Sequence, residues 1–150
     1  MQTLRRIGQF FLLALATLFA LSACLCVRGA YASKFAQIKG DRTFYLDSPS
    51  SQALAVNGLT WKTLFRVKGE SVQFAFSGDE AAKREKVEEF FRTYGAEVLF
   101  VEEAGDTLSY YCYTPQFGEG VVVNGTCVNL HLAISAERMA LGYPIIFGGF

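Results

Sequence analysis

One histidine, His131, and two cysteines, Cys112 and Cys127, are all that residues 33–150 contain of the side chains that most often bind zinc. No spaced ligand set can be drawn from three such residues, so neither a metal nor another cofactor is expected. Acidic residues are absent before Asp41, whereas Arg5, Arg6 and Arg28 precede it. Beyond residue 32 the balance is eleven basic against fourteen acidic residues, a net charge of −3. That segment lacks the basic footprint that supplies most of the affinity for a phosphate backbone, and no nucleic-acid partner is expected. There is no internal repeat, and no linker long or polar enough to divide residues 33–150 into two folding units. Gly118-Glu119-Gly120 has no strand-to-helix context, which excludes a phosphate-cradling loop.

What is present is apolar. Hydrophobic residues make up 51% of the 150 residues and aromatics 15%, enough for one modest domain to bury a core without disulfides or metal. Arg5 and Arg6 precede an uncharged run from Ile7 to Val27, about 30 Å long as a helix. Three readings of residues 1–32 stand side by side. The run reads as an uncleaved membrane anchor that satisfies its own backbone in lipid. It reads equally as a signal peptide, with Ala30-Tyr31-Ala32 as the small-x-small site before Ser33. It also reads as a lipoprotein signal, Leu21-Ser22-Ala23-Cys24 resembling a lipobox with Cys24 as the lipid acceptor. Each of them makes residues 33–150 an extracytoplasmic domain, membrane-anchored or secreted.

Within that domain, Ser33–Asp41 reads as a tether or a frayed first element. Thr43–Leu46 suits a first strand, broken by the turn formers Asp47–Ser51. Leu59–Val67 fits period 2 slightly better than a helix and is expected to be a strand. Ser71–Ser77 alternates, turning Val72, Phe74 and Phe76 to a core and Ser71, Gln73 and Ser77 to water. Ser77 and Glu80 have capping-box spacing, and Val87, Phe90, Phe91 and Tyr94 mark an amphipathic helix that Gly95 ends. Ala96–Val101 and Leu108–Tyr113 predict a hairpin around Ala104-Gly105-Asp106. Asn124-Gly125 predicts a type I′ turn that sets Val122 opposite Cys127. Val128, Leu130, Leu132 and Ile134 then alternate with Asn129, His131, Ala133 and Ser135, giving one buried and one solvent face. Met139–Leu141 and Tyr143–Phe147 are expected at an edge because of Pro144. Together these elements predict an α+β fold: an antiparallel twisted sheet with one main amphipathic helix packed on one face, preceded by an N-terminal transmembrane or signal helix.

Several stretches resemble the YwmB family of small clostridial and bacillar envelope proteins, whose fold is labelled TATA-box-binding-like. They are Thr43-Phe44-Tyr45-Leu46-Asp47-Ser48 with Ser51-Gln52, Val67-Lys68-Gly69-Glu70-Ser71, and Tyr94-Gly95-Ala96-Glu97-Val98. Val128-Asn129-Leu130-His131 and Gly142-Tyr143-Pro144-Ile145-Ile146 complete the set. The resemblance implies an extracytoplasmic, cell-envelope protein associated with sporulation, with a curved antiparallel sheet. It implies no catalytic residue and, since fold similarity transfers architecture rather than function, no DNA binding.

Chemistry has few candidates. His131 with Cys127 and Asn129 invites a nucleophile-and-base reading, and an exported hydrolase using His131 is the enzymatic alternative. Against it, Cys127 and His131 are about 13 Å apart along one strand. Cys112 and Cys127 form a candidate disulfide within one sheet, or else two small packing residues. Glu85, Glu88, Glu89, Glu102 and Glu103 read as solvated charge. Tyr111 and Tyr113 point opposite to Tyr110, onto the helix-free face. With Asn129 and His131 they form a candidate binding face for an envelope protein or a cell-wall component, in a non-enzymatic module.

Overall fold

The computed structural model describes residues 2–47 and 53–147, with side chains of the first helix described for 11–26. The chain divides into two compact units, Met1–Ala32 and Ser33–Phe150. The first is the helix α1 (Gln2–Gly29), and Phe11, Leu12, Leu13, Leu15, Leu18, Phe19, Leu21 and Leu25 on it are all exposed. Among the described residues, no helix is long and apolar enough to cross a membrane. The uncharged run Ile7–Val27 extends past the side chains described.

The second unit is α+β. Its elements are β1 (Asp41–Leu46), β2 (Leu54–Val56), β3 (Val67–Ala75), α2 (Glu80–Tyr94), β4 (Glu97–Ala104) and β5 (Thr107–Tyr113). There follow β6 (Val121–Val123), β7 (Thr126–Val128), β8 (Leu130–Ile134) and β9 (Arg138–Tyr143). Among the described residues, seven strands form one antiparallel sheet in the order β2-β1-β3-β9-β8-β5-β4, and β6 and β7 form a separate hairpin. Val72, Cys112, Leu130, Leu132, Ile134, Met139 and Leu141 project from one sheet face against Val87, Phe90 and Tyr94 of α2, forming the core.

Local signals account for most of the elements. Asn124 and Gly125 both hold positive φ, at 51° and 78°, and Val122 lies opposite Cys127. Gly95 ends α2 at φ 56°, its N–H bonding to the Arg92 carbonyl. The N-cap is Asp79 rather than Ser77: the helix begins at Glu80, and Asp79 Oδ1 accepts from Ala82 N–H at 2.8 Å. A cap of this kind is worth about 1 kcal/mol.

Four expectations are corrected. Leu59–Val67 is a turn up to the start of β3, because the Thr63 hydroxyl takes the Thr60 N–H at 2.9 Å and Leu64 N–H bonds the Thr60 carbonyl. These bonds compete with a ladder. Met139–Leu141 belongs to β9, which sits between β3 and β8 instead of at an edge. Pro144 does not prevent this, since it follows the last paired residue, Tyr143. Ser33–Asp41 is not a tether: Phe35 is fully buried, with rings of Tyr94 and Phe117 edge-on at 5.8 and 5.6 Å. Finally, every residue of β8 is buried, on both faces, and Ser71 is buried as well. Residues 145–147 return over the helix-free face, with Ile146 N–H donating to His131 Nδ1 at 3.2 Å and Phe147 meeting Tyr45 at 4.9 Å. Most of the expected loop Asp47–Ser51, and Gly148-Gly149, lie outside the described residues.

Candidate binding face

The strand registers place Phe100, Tyr111 and His131 side by side on the helix-free face, across β4, β5 and β8. Their rings form a parallel ladder. Phe100 stacks on Tyr111 at 4.5 Å and Tyr111 on His131 at 4.4 Å, each at an interplanar angle of 15°. The faces of the middle ring are therefore used within the sheet and its hydroxyl meets Glu102, so that ring edges are left to outside contact. Tyr113, two residues along β5, is 38% exposed. Glu102 completes the group, its carboxylate accepting from Asn124 Nδ2 at 3.3 Å. Burial first, and then the Glu102 carboxylate beside it, push the Tyr111 phenol pKa up.

Desolvation dominates at His131, which is 7% exposed, and lowers its pKa to about 4, with the Glu102 charge acting in the opposite direction. The imidazole is neutral at pH 7. Nδ1 accepts from Ile146, so Nε2 carries the proton, and among the described residues Nε2 has no hydrogen-bond partner.

The other residues singled out in the sequence fall elsewhere. Asn129 is fully buried between Thr114 and Gly118 and is not part of the exposed face. Cys112 is buried in the core and Cys127 is exposed on the hairpin; both are free thiols, in different sheets rather than in one. The reason is Asn129, which separates β7 from β8 and ends the run from Thr126 to Ile134 as a single strand. The same break removes Cys127 from the strand that carries His131. Cys24 is an exposed free thiol on α1. Glu89 pairs with Lys86 at 2.7 Å, and Glu102 and Glu103 occupy successive positions facing Ser109 and Leu108. Among the described residues no group of three His, Cys, Asp or Glu side chains is placed to hold a metal.

Glu102 reads from the sequence only as solvated charge, and neither Phe100 nor Glu70 is singled out there as a site residue. A bulge between Val98 and Phe100 puts these two on opposite faces although they are two residues apart, so alternation alone misplaces Phe100. Glu70 is wholly buried and accepts from Ser33 and from the amides of Lys34 and Phe35. Its only sequence signal was a charge at the start of an otherwise alternating strand.

Comparison with models of protein families, with curated proteins and with solved structures finds no match.

Proposed function

We propose that residues 33–150 form an extracytoplasmic, non-enzymatic module of the cell envelope that binds another protein through the rim of the helix-free face, at Phe100, Glu102, Tyr111 and Tyr113. The observation that carries this reading is the Phe100–Tyr111–His131 ladder with Tyr113 partly exposed beside it. Sugar rings are bound by open aromatic faces, whereas here the faces of Tyr111 are consumed by its neighbours. Ring edges, a phenol and a carboxylate suit a protein surface better than a wall glycan. Residues 1–32 deliver the domain to the membrane, and the exposed apolar side chains of α1 support that role. The residues shared with YwmB-like proteins support the same compartment and an association with sporulation.

The hydrolase alternative gains nothing from this geometry. His131 has no described nucleophile in hydrogen-bond reach, and its accepting nitrogen is occupied by Ile146. The test is crosslinking in intact cells, followed by purification of the native protein with Tyr113→Ser or Phe100→Ser beside the wild type. Loss of the same protein partner from both variants, with no retention of either form on purified wall sacculi, is expected. An unchanged partner set would defeat the proposal, and wall retention that depends on Tyr113 would replace it with the glycan reading.

A further inference from the structure

Glu70 sits at the start of the alternating stretch of β3 with its side chain fully buried. A carboxylate so placed is costly unless paired and hydrogen-bonded. Arg42 Nε lies 3.9 Å from Glu70 Oε2 and, among the described residues, has no hydrogen-bond partner, because the Arg42 guanidinium donates through its terminal nitrogen to the Phe35 and Ile38 carbonyls. The hydrogen bonds come instead from the first three residues of the second unit. Ser33 Oγ–H lies 3.0 and 2.8 Å from the two carboxylate oxygens, and the Lys34 and Phe35 amides both donate to Oε1. The Lys34 ammonium points elsewhere, over the rings of Phe117 and Tyr143 at 5.9 and 5.4 Å. The Ser33 nitrogen thus belongs to a residue whose hydroxyl, and whose following amide, are bound to a buried carboxylate, yet as an amide it brings no charge.

The bond that would change this is next to it. Residues 31–33 are neither helix nor strand, Ala32 is exposed, and Ala30 and Ala32 supply the small side chains that a leader-removing endopeptidase requires. We infer that the Ala32–Ser33 bond is a processing site, and that Glu70 is the built acceptor for the amino terminus released at Ser33, the two forming a buried ion pair in the matured domain. This rests on the reading of residues 1–32 as an export leader. In the step an envelope endopeptidase adds water across the Ala32–Ser33 amide. Ala32 leaves with the new carboxylate, and Ser33 keeps the nitrogen, which is protonated to an ammonium. The buried carboxylate then gains a full counter-charge on the same residue whose hydroxyl already contacts it.

The experiment exports the full chain from a bacterial host and determines the mass and first residue of the product. The product is then treated with a limiting acetyl N-hydroxysuccinimide ester at pH 7, folded and in urea, and acetylation of the α-amine is read by peptide mass. A carboxylate partner raises an amine pKa by about one unit or more, so about tenfold less of the reactive free base is present. A product beginning at Ser33, with an α-amine at least about tenfold slower to react when folded than in urea, is expected. Glu70→Gln should remove that protection; should the variant not fold, the folded and urea rates of the wild type decide. A full-length product, or one beginning at Cys24 or anywhere else, overturns the inference together with the cleaved-leader reading. A Ser33 start with equal rates, or protection that persists in folded Glu70→Gln, overturns the ion pair and leaves export standing.

Discussion

Asn129 holds Thr114 through both of that residue's backbone groups. Its Oδ1 accepts from Thr114 N–H at 2.7 Å, and its Nδ2 donates to the Thr114 carbonyl at 2.7 Å and to the Gly118 carbonyl at 3.0 Å. A side-chain amide thus completes a strand-like pairing where the backbone ladder between β5 and β8 has ended. Asn129→Ala leaves the buried Thr114 N–H without its partner, at about 1–3 kcal/mol, and its carbonyl with only the long bond from Phe117 N–H at 3.5 Å. A loss of about 3 kcal/mol in denaturant unfolding is expected, and a loss under 1 kcal/mol would show that water or rearrangement replaces the clamp.

His131 links stability to pH. Its folded pKa of about 4 lies below the ordinary 6.5, so the folded domain resists the proton that the unfolded chain accepts. The stability that goes with the neutral ring is complete above pH 6.5 and declines as the pH falls from 6.5 to about 4. The full loss is about 3 kcal/mol. His131→Gln, which keeps an acceptor for Ile146, should flatten this part of the unfolding-against-pH curve. A wild-type curve that is already flat between pH 6.5 and 4 would contradict the burial argument.

The two thiols of the second unit should separate cleanly by reactivity. Burial raises the Cys112 pKa from 9.0 to about 12, which lowers its thiolate fraction about a thousandfold, whereas Cys127 is exposed. Iodoacetamide at pH 8 on the folded protein should modify Cys127 within minutes and leave Cys112 unmodified until urea is added. Mass mapping of a Cys112–Cys127 disulfide would overturn this arrangement.

Gly142 should tolerate no side chain. A Cβ there would lie 2.6 Å from the Ile146 nitrogen and 2.7 Å from Ile146 Cγ1. Gly142→Ala is therefore expected to lift residues 145–147 from the sheet, break the Ile146–His131 bond and admit water to the ring. The measurable result is a His131 pKa moving from about 4 toward 6.5 in an NMR titration, with no change if the strap stays seated.

Elements whose causes are local were legible in the sequence. The Asn124-Gly125 turn, the apolar spacing of α2 and its Gly95 stop are each written within about one helical or hairpin turn. The ring ladder was half legible: alternation sent Tyr111 and His131 to the helix-free face, but the bulge before Phe100 hid the third ring. Glu70, Phe35 and Asn129 were not legible as a clasp, an anchor and a clamp. Their partners lie tens of residues away for Glu70 and about fifteen for Asn129, and no period records such a distance. The solvent face expected for β8 failed for the same reason, since residues 145–147 cover it from beyond its own strand.

The sheet order also sets when folding can finish. β3 pairs with β9, the last of the described strands, so the centre of the sheet joins residues near 70 to residues near 140. A chain emerging amino end first, from a ribosome or through a membrane pore, presents β1–β3 and α2 with no β9 to close on. Until Arg138–Tyr143 arrives, Val72 and Phe74 face an unfinished layer, and the open edge of β3 offers its amides and carbonyls to any passing strand. Contacts of such high sequence separation close slowly. The exposed interval is therefore set by the time needed to deliver β9, and a holding chaperone would act most usefully in that window.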